Sequence, residues 1–502
     1  MPAKKLQQRR DFLKTAAMGA IGISTVRFNK AFASQKAWTK VQINPAIDNA
    51  RVICCHDTKM LPNYNASSTF KSQQDMVNAA LVGANLDQMA MKLAQKTTAA
   101  DAWSTIFRKP AAKAWSAVRV AMKTNGIGGP TTNRPRVAIY KKICDVLIDQ
   151  LGVSASNIVL YDACDDPTQF YTSTYVSLTD STKIRAVVSS RASGMGGFKA
   201  VTLANWVTSG SNGSPSCPAD LLSGAIDILV NVAACKSHNG TGGSYNYGSC
   251  TLCMKNHFGT FTDDTVRHIS HSDGLHVANS GATPPPAPLA LFEINQHDAV
   301  LGGDPIRQQL CIVDALLSNG ASGPGGGFDN RTDRLVMGTF APIVDYLSAK
   351  NILLNTSVMT DKPIAALGVT HAATILPMFL SNFGYAEADV QNSWMEYIPG
   401  AIGVVDPSPR EHSGRRVQVA LSNSSYKQST AHINVPQSAG AMRVSILDGR
   451  GRQIRKLSAS HDQTRIVWDG LSDNGTQVSA GNYLVKISAG TVENAGIIVA
   501  GR

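Results

Sequence analysis

The chain has 502 residues, 43% of them hydrophobic and 16% charged, which excludes a disordered or collagen-like protein and leaves room for two or three domains. The formal charge is +12, but seven of the 47 Lys and Arg and one of the 35 acids lie in residues 1–33, so the remainder carries 40 bases against 34 acids. That mild balance, with no basic stripe interleaved with aromatics, gives no footing to nucleic acid as a partner.

The first residues read as an address. Gln8-Arg9-Arg10-Asp11-Phe12-Leu13-Lys14 precedes a Gly/Ala-rich run from Thr15 to Val26, and Ala31-Phe32-Ala33 follows. The run is too short to span a bilayer. An amphipathic N-terminal helix is the plain alternative. The order of these pieces resembles a twin-arginine signal peptide over residues 1–33. It implies the twin-arginine export machinery as a partner and a periplasmic, extracellular or cell-surface location. The apolar stretch 364–380 is interrupted by His371 and Pro377, so no membrane span is expected in the mature chain.

From residue 34 to 400 short apolar runs alternate with helical spacing. Strands are expected in Arg51-Val52-Ile53-Cys54-Cys55, in Ala117–Met122, in Asn157–Asp166, in Ala225–Val232 and in Leu310–Leu316. After Pro135, Val137, Tyr140, Ile143, Leu147 and Leu151 recur at helical spacing, and Gly152 fits the stop. Such alternation predicts an α/β fold, a layered core with a mainly parallel sheet. Ligands of such sheets sit beyond the carboxyl ends of the strands, where Asp162, Asp314 and the Gly323–Gly327 loop fall. Residues 401–416, polar and marked by Pro407-Ser408-Pro409, read as a linker. Residues 417–502 alternate with period two between turn signals at Asp448-Gly449 and Asn474-Gly475, which predicts a small all-β sandwich.

Several short motifs occur in a telling order. They are Lys123-Thr124-Asn125, the strand ending at Asp162, Asp227–Val232 with Lys236-x-His238, and Lys255-Asn256-x-x-Gly259. Arg267 with His271, Ile312–Leu316 with Gly323–Gly327, and Ala341–Lys350 around Asp345 complete the series. In this order they make residues 45–395 resemble the family called domain of unknown function 362, which implies a fold and a site location but no agreed reaction. The tail carries Ile446–Leu457, Trp468–Gly475 and Gly481–Ile487. It resembles the Ig-like domain of the flagellar hook-cap protein and the sorting tails of secreted bacterial proteins. That likeness implies a docking or secretion partner and no catalysis.

Ser249–Phe261 holds the one spaced cysteine pair. Five of the eleven histidines lie between His238 and His276, and Cys235, Cys250 and Cys253 fall in or beside that interval. Thiolate and imidazole suit zinc, iron or an iron–sulfur cluster. The candidate metal ligands are therefore Cys235, His238, Cys250, Cys253, His257 and His271. A redox or structural disulfide and inert buried thiols are the alternatives. No strand is expected before Cys250, which weighs against a redox pair. Lys236, Lys255 and Asp345 are the candidate catalytic groups, and Asn256 and Arg267 candidate binders of an anionic substrate or cofactor. Cys54-Cys55-His56-Asp57 reads as structural. Three functions follow as expectations: an exported metal- or iron–sulfur-binding protein, possibly an enzyme; a non-enzymatic envelope binding protein docked by its tail; or a thiol–disulfide protein.

Overall fold

The computed structural model describes residues 38–399 and 419–500 in part. Residues 1–37, 39, 68, 127, 164, 207–213, 240–244, 264–277, 280–288, 322–324, 400–418, 421–430, 435–441, 449–451, 460–464, 479–480, 490–491 and 501–502 lie outside the described residues, as do the side chains of 238–239 and 245–249. The expectations for the export signal, the linker, Arg267 and His271, and for the side chain of His238, thus fall outside them. The chain divides into two units, at Tyr397/Ile398.

The strands of the first unit are β1 (Val52–His56), β2 (Val120–Lys123), β3 (Ile158–Tyr161), β4 (Val187–Val188), β5 (Phe198–Ala200), β6 (Pro215–Pro218), β7 (Ile228–Asn239), β8 (Tyr245–Thr251), β9 (Thr262–Asp263), β10 (Ala278–Asn279), β11 (Gln308–Asn319), β12 (Asn330–Gly338) and β13 (Trp394–Tyr397). Ten of them form one sheet in the order β13-β1-β12-β11-β7-β2-β3-β4, with β8 on β7 and β10 on β8, while β5-β6-β9 make a small sheet. β11, β7, β2, β3 and β4 are mutually parallel. β12 runs antiparallel to both neighbours. The expected α/β core with a mainly parallel sheet is the observed one.

Both faces of this sheet are covered, which is why β2, β3 and β11 are buried at every position. Leu229, Ala233, Cys235, Cys311 and Val313 share one face with Phe292, Val344 and Phe379. Ile228, Val230, Val232, Leu310 and Ile312 share the other with Leu86, Ile139 and Ile143. The helix Val137–Asp145 joins β2 to β3 on this second face; it passes into a π-helical turn at Val146–Gln150 and stops at Gly152, whose φ of +85° suits glycine. The helices Cys253–Asn256 and Leu289–Gln296 join β7 to β11 on the first face. Connections therefore leave β2 and β7 to opposite faces, and the crevice between these strands is the switch point of the sheet.

Two strands differ from expectation. β7 and β11 run for 12 residues each, beyond their apolar stretches. Their polar ends stay in the ladder because Lys236 pairs with Asn319 on one side and with Thr251 on the other. β8 is a strand where none was expected. Its Tyr-Asn-Tyr-Gly-Ser composition has no apolar alternation, and tertiary pairing with β7 decides its conformation.

The second unit holds β14 (Val419–Ala420), β15 (Ala431–Asn434), β16 (Met442–Leu447), β17 (Gln453–Ala459), β18 (Arg465–Trp468), β19 (Gly481–Ala489) and β20 (Val492–Ala500). They form two antiparallel sheets, β14-β15-β18 and β17-β16-β19-β20. Trp468 of one sheet meets Tyr483 of the other edge-on at 5.3 Å, so the two sheets share a core. The turn at Asn474-Gly475 closes as expected, with Gly475 at φ +78°. β17 carries no clean alternation because a register shift opposite Ile446 and Leu447 breaks its period. Among the described residues no helix is long and apolar enough to cross a membrane.

A fragment of residues 416–502 is expected to fold alone. It has its own core and no cysteine, so its urea or heat transition should be cooperative and identical with and without reductant. A fragment without a cooperative transition would refute the division.

Candidate functional site

β11 holds one edge of β7 from Leu229 to Lys236. β2 takes the other edge only as far as the pair Lys123–Asn231, and β8 takes it again from Lys236 onward. Val232–Cys235 thus face a gap in that lane. At about 3.3 Å per residue, the levels of Lys123 and Thr251 lie roughly 16 Å apart.

Asn256 fills the gap. Its Nδ2 donates to Asn231 Oδ1 at 2.8 Å and to the Val232 carbonyl at 3.1 Å, and its Oδ1 accepts from Lys123 Nζ at 3.2 Å and Asn125 Nδ2 at 3.0 Å. Lys123 Nζ forms a buried ion pair with Asp162 Oδ2 at 2.7 Å, and Asp162 also accepts from the Gly126 amide at 3.1 Å. Gly259 lies against this pair so closely that a Cβ there would stand 2.3 Å from Asp162 Oδ1 and 2.7 Å from Lys123 Nζ. Three motifs far apart in the chain therefore make one bonded unit. Lys123-Thr124-Asn125 meets Asp162, and Asn256 and Gly259 of Lys255-Asn256-x-x-Gly259 lie on both.

A second layer covers this unit from the other face. Arg136 pairs with Asp314 at 3.0 Å with neither side chain exposed, and it also donates to Gln73 and Asn133. Arg134 gives its donors to the carbonyls of Gly126 and Gly129, at 2.9 and 2.8 Å, and lies 3.4 Å over the Phe170 ring. Burial pulls its guanidinium down to about 10. Thr132, Asn133 and Asn319 bond the carbonyls of Gly325, Gly326 and Gly327, which ties the glycine loop to the end of β11. Lys236 is fully buried. Burial pushes its ammonium down, the guanidinium of Arg134 adds to this, and the Asp165 carboxylate opposes it. Arg134, Arg136, Asn231, Gln308 and Thr251 were not expected here. Thr-Asn-Arg-Pro-Arg at Thr132–Arg136 was the available signal, two cations about a proline beside a strand end.

Alternation along β7 sends Cys235 and Lys236 to opposite faces. The remaining candidates gather on the face of Cys235. Asp345 accepts from the amides of Cys253 and Met254 at 2.8 and 2.6 Å, so its carboxylate caps the short helix that carries Asn256. Burial outweighs these bonds and raises Asp345 to about 7. His257 is fully buried, which lowers it to about 3 and keeps it neutral. Its Nε2 donates to Gln308 at 2.6 Å, and its Nδ1 accepts from Thr260 at 3.0 Å, whose hydroxyl meets Tyr161 at 2.9 Å. Lys255 is buried with its ammonium 5.5 Å from the Phe258 ring centre.

Cys235, Cys250 and Cys253 are buried and free, and burial pushes all three up, Cys235 to about 12. Among the described residues no group of three or more His, Cys, Asp or Glu side chains is placed to hold a metal ion. Both ring nitrogens of His257 are engaged, and Cys253 Sγ lies toward the Ile312 carbonyl at 3.9 Å. The described donors thus do not fit a metal or cluster. A strand does stand here where none was expected: Cys250 lies within β8 and Cys253 opens the short helix that follows it. A redox thiol nonetheless needs exposure and a lowered pKa, and both cysteines have neither. Lys236 and Asp345, on opposite faces, are not brought together.

No curated protein matches the chain. Among solved structures, FLGD from P. aeruginosa is similar at 17% identity and a TM-score of 0.12, over 14% of this chain and 58% of that one, so this chain spans little more than half the length of that structure. Residues 420–493 match the family described as the FlgD Ig-like domain, and the C-terminal unit of the chain is a domain of that kind.

Proposed function

We propose that this chain is an exported envelope protein whose α/β core binds a small anionic ligand at the β2–β7 switch point, with the Ig-like tail as its docking module. The observation that carries this reading is the charge gathered there. Lys123, Arg134, Arg136 and Lys236 are fully buried, against Asp162 and Asp314 as the buried acids and the half-buried Asp165 beside Lys236 and Arg134. The guanidinium of Arg134 is held by carbonyls rather than by a carboxylate. A desolvated cationic excess at the carboxyl ends of parallel strands suits an anion. The order of motifs resembling the domain of unknown function 362 family supports the same location, since its lysines and asparagines converge on this unit. The twin-arginine pattern supports export, and the domain at 420–493 supports docking. A metal or iron–sulfur reading would draw its ligands from outside the described residues, where His268 and His271 lie. The test is calorimetric titration of the full chain with small carboxylates and phosphates at low salt. Binding is expected to be lost in Lys236→Met, because the variant removes a fully buried cation from the crevice. Binding that survives this change, or no binding to any anion, refutes the reading.

A further inference from the structure

Cys253 opens the short helix that carries Asn256, and Cys311 lies on β11. Strand alternation puts Cys311 on the same face as Cys235 and Val313, while Leu310 and Ile312 belong to the other face. Asn231 stands beside Cys311 in the parallel β7–β11 ladder, and its Nδ2 donates to the Cys253 carbonyl at 2.8 Å. One side chain thus ties the start of the helix to the level of Cys311. The Cys253 thiol lies 3.9 Å from the carbonyl of Ile312, the residue after Cys311, and it bonds to the Cys311 thiol itself. Both cysteines are fully buried. Cys250, its neighbour in the sequence, sits in β8 across from Ser237. The sulfur that meets Cys253 therefore comes from a strand far along the chain.

We infer that Cys253 and Cys311 are a disulfide-forming pair, whose bond pins the helix presenting Asn256 to β11 and leaves Cys250 a thiol. This is a structural link and is independent of the anion-binding reading. A disulfide needs two sulfurs that can meet with little backbone movement. These two already touch, and Asn231 holds both backbones at one level. The bond forms by exchange with a small disulfide such as glutathione disulfide. One cysteine thiolate attacks it and releases a glutathione thiolate. The second cysteine then attacks the mixed disulfide and releases the other. The two cysteines lose two protons and two electrons, and the oxidant leaves as two thiols. Local opening of the helix gives the oxidant its access.

The test is a thiol map of the full chain. One sample of reduced wild type is held folded in glutathione disulfide, and another is refolded from urea in a mixture of glutathione and its disulfide. Free thiols are then blocked and the linked peptides read by mass spectrometry. A peptide joining Cys253 to Cys311 is expected. The oxidised chain should have a higher urea midpoint than the same chain in dithiothreitol, because the link closes a long loop. Cys250→Ala should keep both the link and the shift, and Cys311→Ala should lose both. Each variant is compared only with its own reduced sample, so a loss of packing in Cys311→Ala does not enter the comparison. Should that variant fail to fold, the wild-type map and Cys250→Ala decide the matter. A Cys250–Cys253 link, or no link at Cys253 in either sample, overturns the inference. So does an oxidised wild type with an unchanged midpoint, or a shift that persists in Cys311→Ala.

Discussion

Lys123→Met is expected to destabilise the core by about 3–5 kcal/mol, because it strands the Asp162 carboxylate in the interior. The two side chains of this pair are 0% and 5% exposed, so water cannot replace the lost ammonium. The Gly126 amide would remain as a donor to Asp162, and Asn256 Oδ1 would keep only Asn125. The double variant Lys123→Met/Asp162→Leu removes both charges and should recover part of the loss. It cannot recover all of it, since the Gly126 amide then has no carboxylate to bond. Gly259→Ala attacks the same pair by sterics, with its new methyl inside contact distance of both charged atoms. Urea titrations of the full chain give the change in midpoint for each variant. A loss below about 1 kcal/mol for Lys123→Met would mean that the pair is solvated and is not the centre of the site.

The bonds of this unit explain which parts of the chain were legible beforehand. β2, β3, β7 and β11 announced themselves because strands buried on both faces are continuous apolar runs. The helix after Pro135 showed its period, and Gly152 its end. β8, in contrast, is polar, and only its pairing with Lys236–Asn239 makes it a strand. The site residues followed the same division. Asn256 and Lys236 stood out through neighbouring motifs, yet their roles depend on contacts across the fold, such as the bond between Asn125 and Asn256, 131 residues apart. The clustering of Cys and His near position 250 suggested ligands. Sequence spacing does not tell whether a thiol faces a metal or a core, and strand alternation put Cys235 among the apolar residues of one face. Arg134 and Arg136 were missed because a buried arginine looks like a surface one until its carbonyl and carboxylate partners are assembled around it.

Asp345→Asn is expected to flatten the pH dependence of stability between about pH 4 and pH 7. The carboxylate is buried, and although two backbone amides and the Cys253 thiol bond to it, desolvation wins and holds it at about 7. An unfolded chain restores the ordinary aspartate value of about 3.9. The folded protein thus binds the proton more tightly than the unfolded one. Its contribution is fully present below about pH 4 and is lost as the pH rises through 7, at up to about 1.4 kcal/mol per unit. The asparagine variant carries no such term. It also loses one acceptor, since its amide nitrogen faces one of the two backbone donors, which costs about 1–2 kcal/mol at low pH. Wild type should therefore be the more stable by about 1–2 kcal/mol near pH 4, the difference should cross zero near pH 5, and the variant should be the more stable by about 2–3 kcal/mol at pH 7. Urea midpoints of both proteins at pH 5, 6, 7 and 8 measure it. A wild-type advantage that grows with pH would mean that the two amides outweigh burial and that Asp345 caps its helix as an ordinary charged carboxylate. Because that helix presents Asn256 to Lys123, the same titration should appear in ligand affinity. An affinity that changes with pH in wild type but not in Asp345→Asn would tie the cap on one face of the sheet to the site at its end.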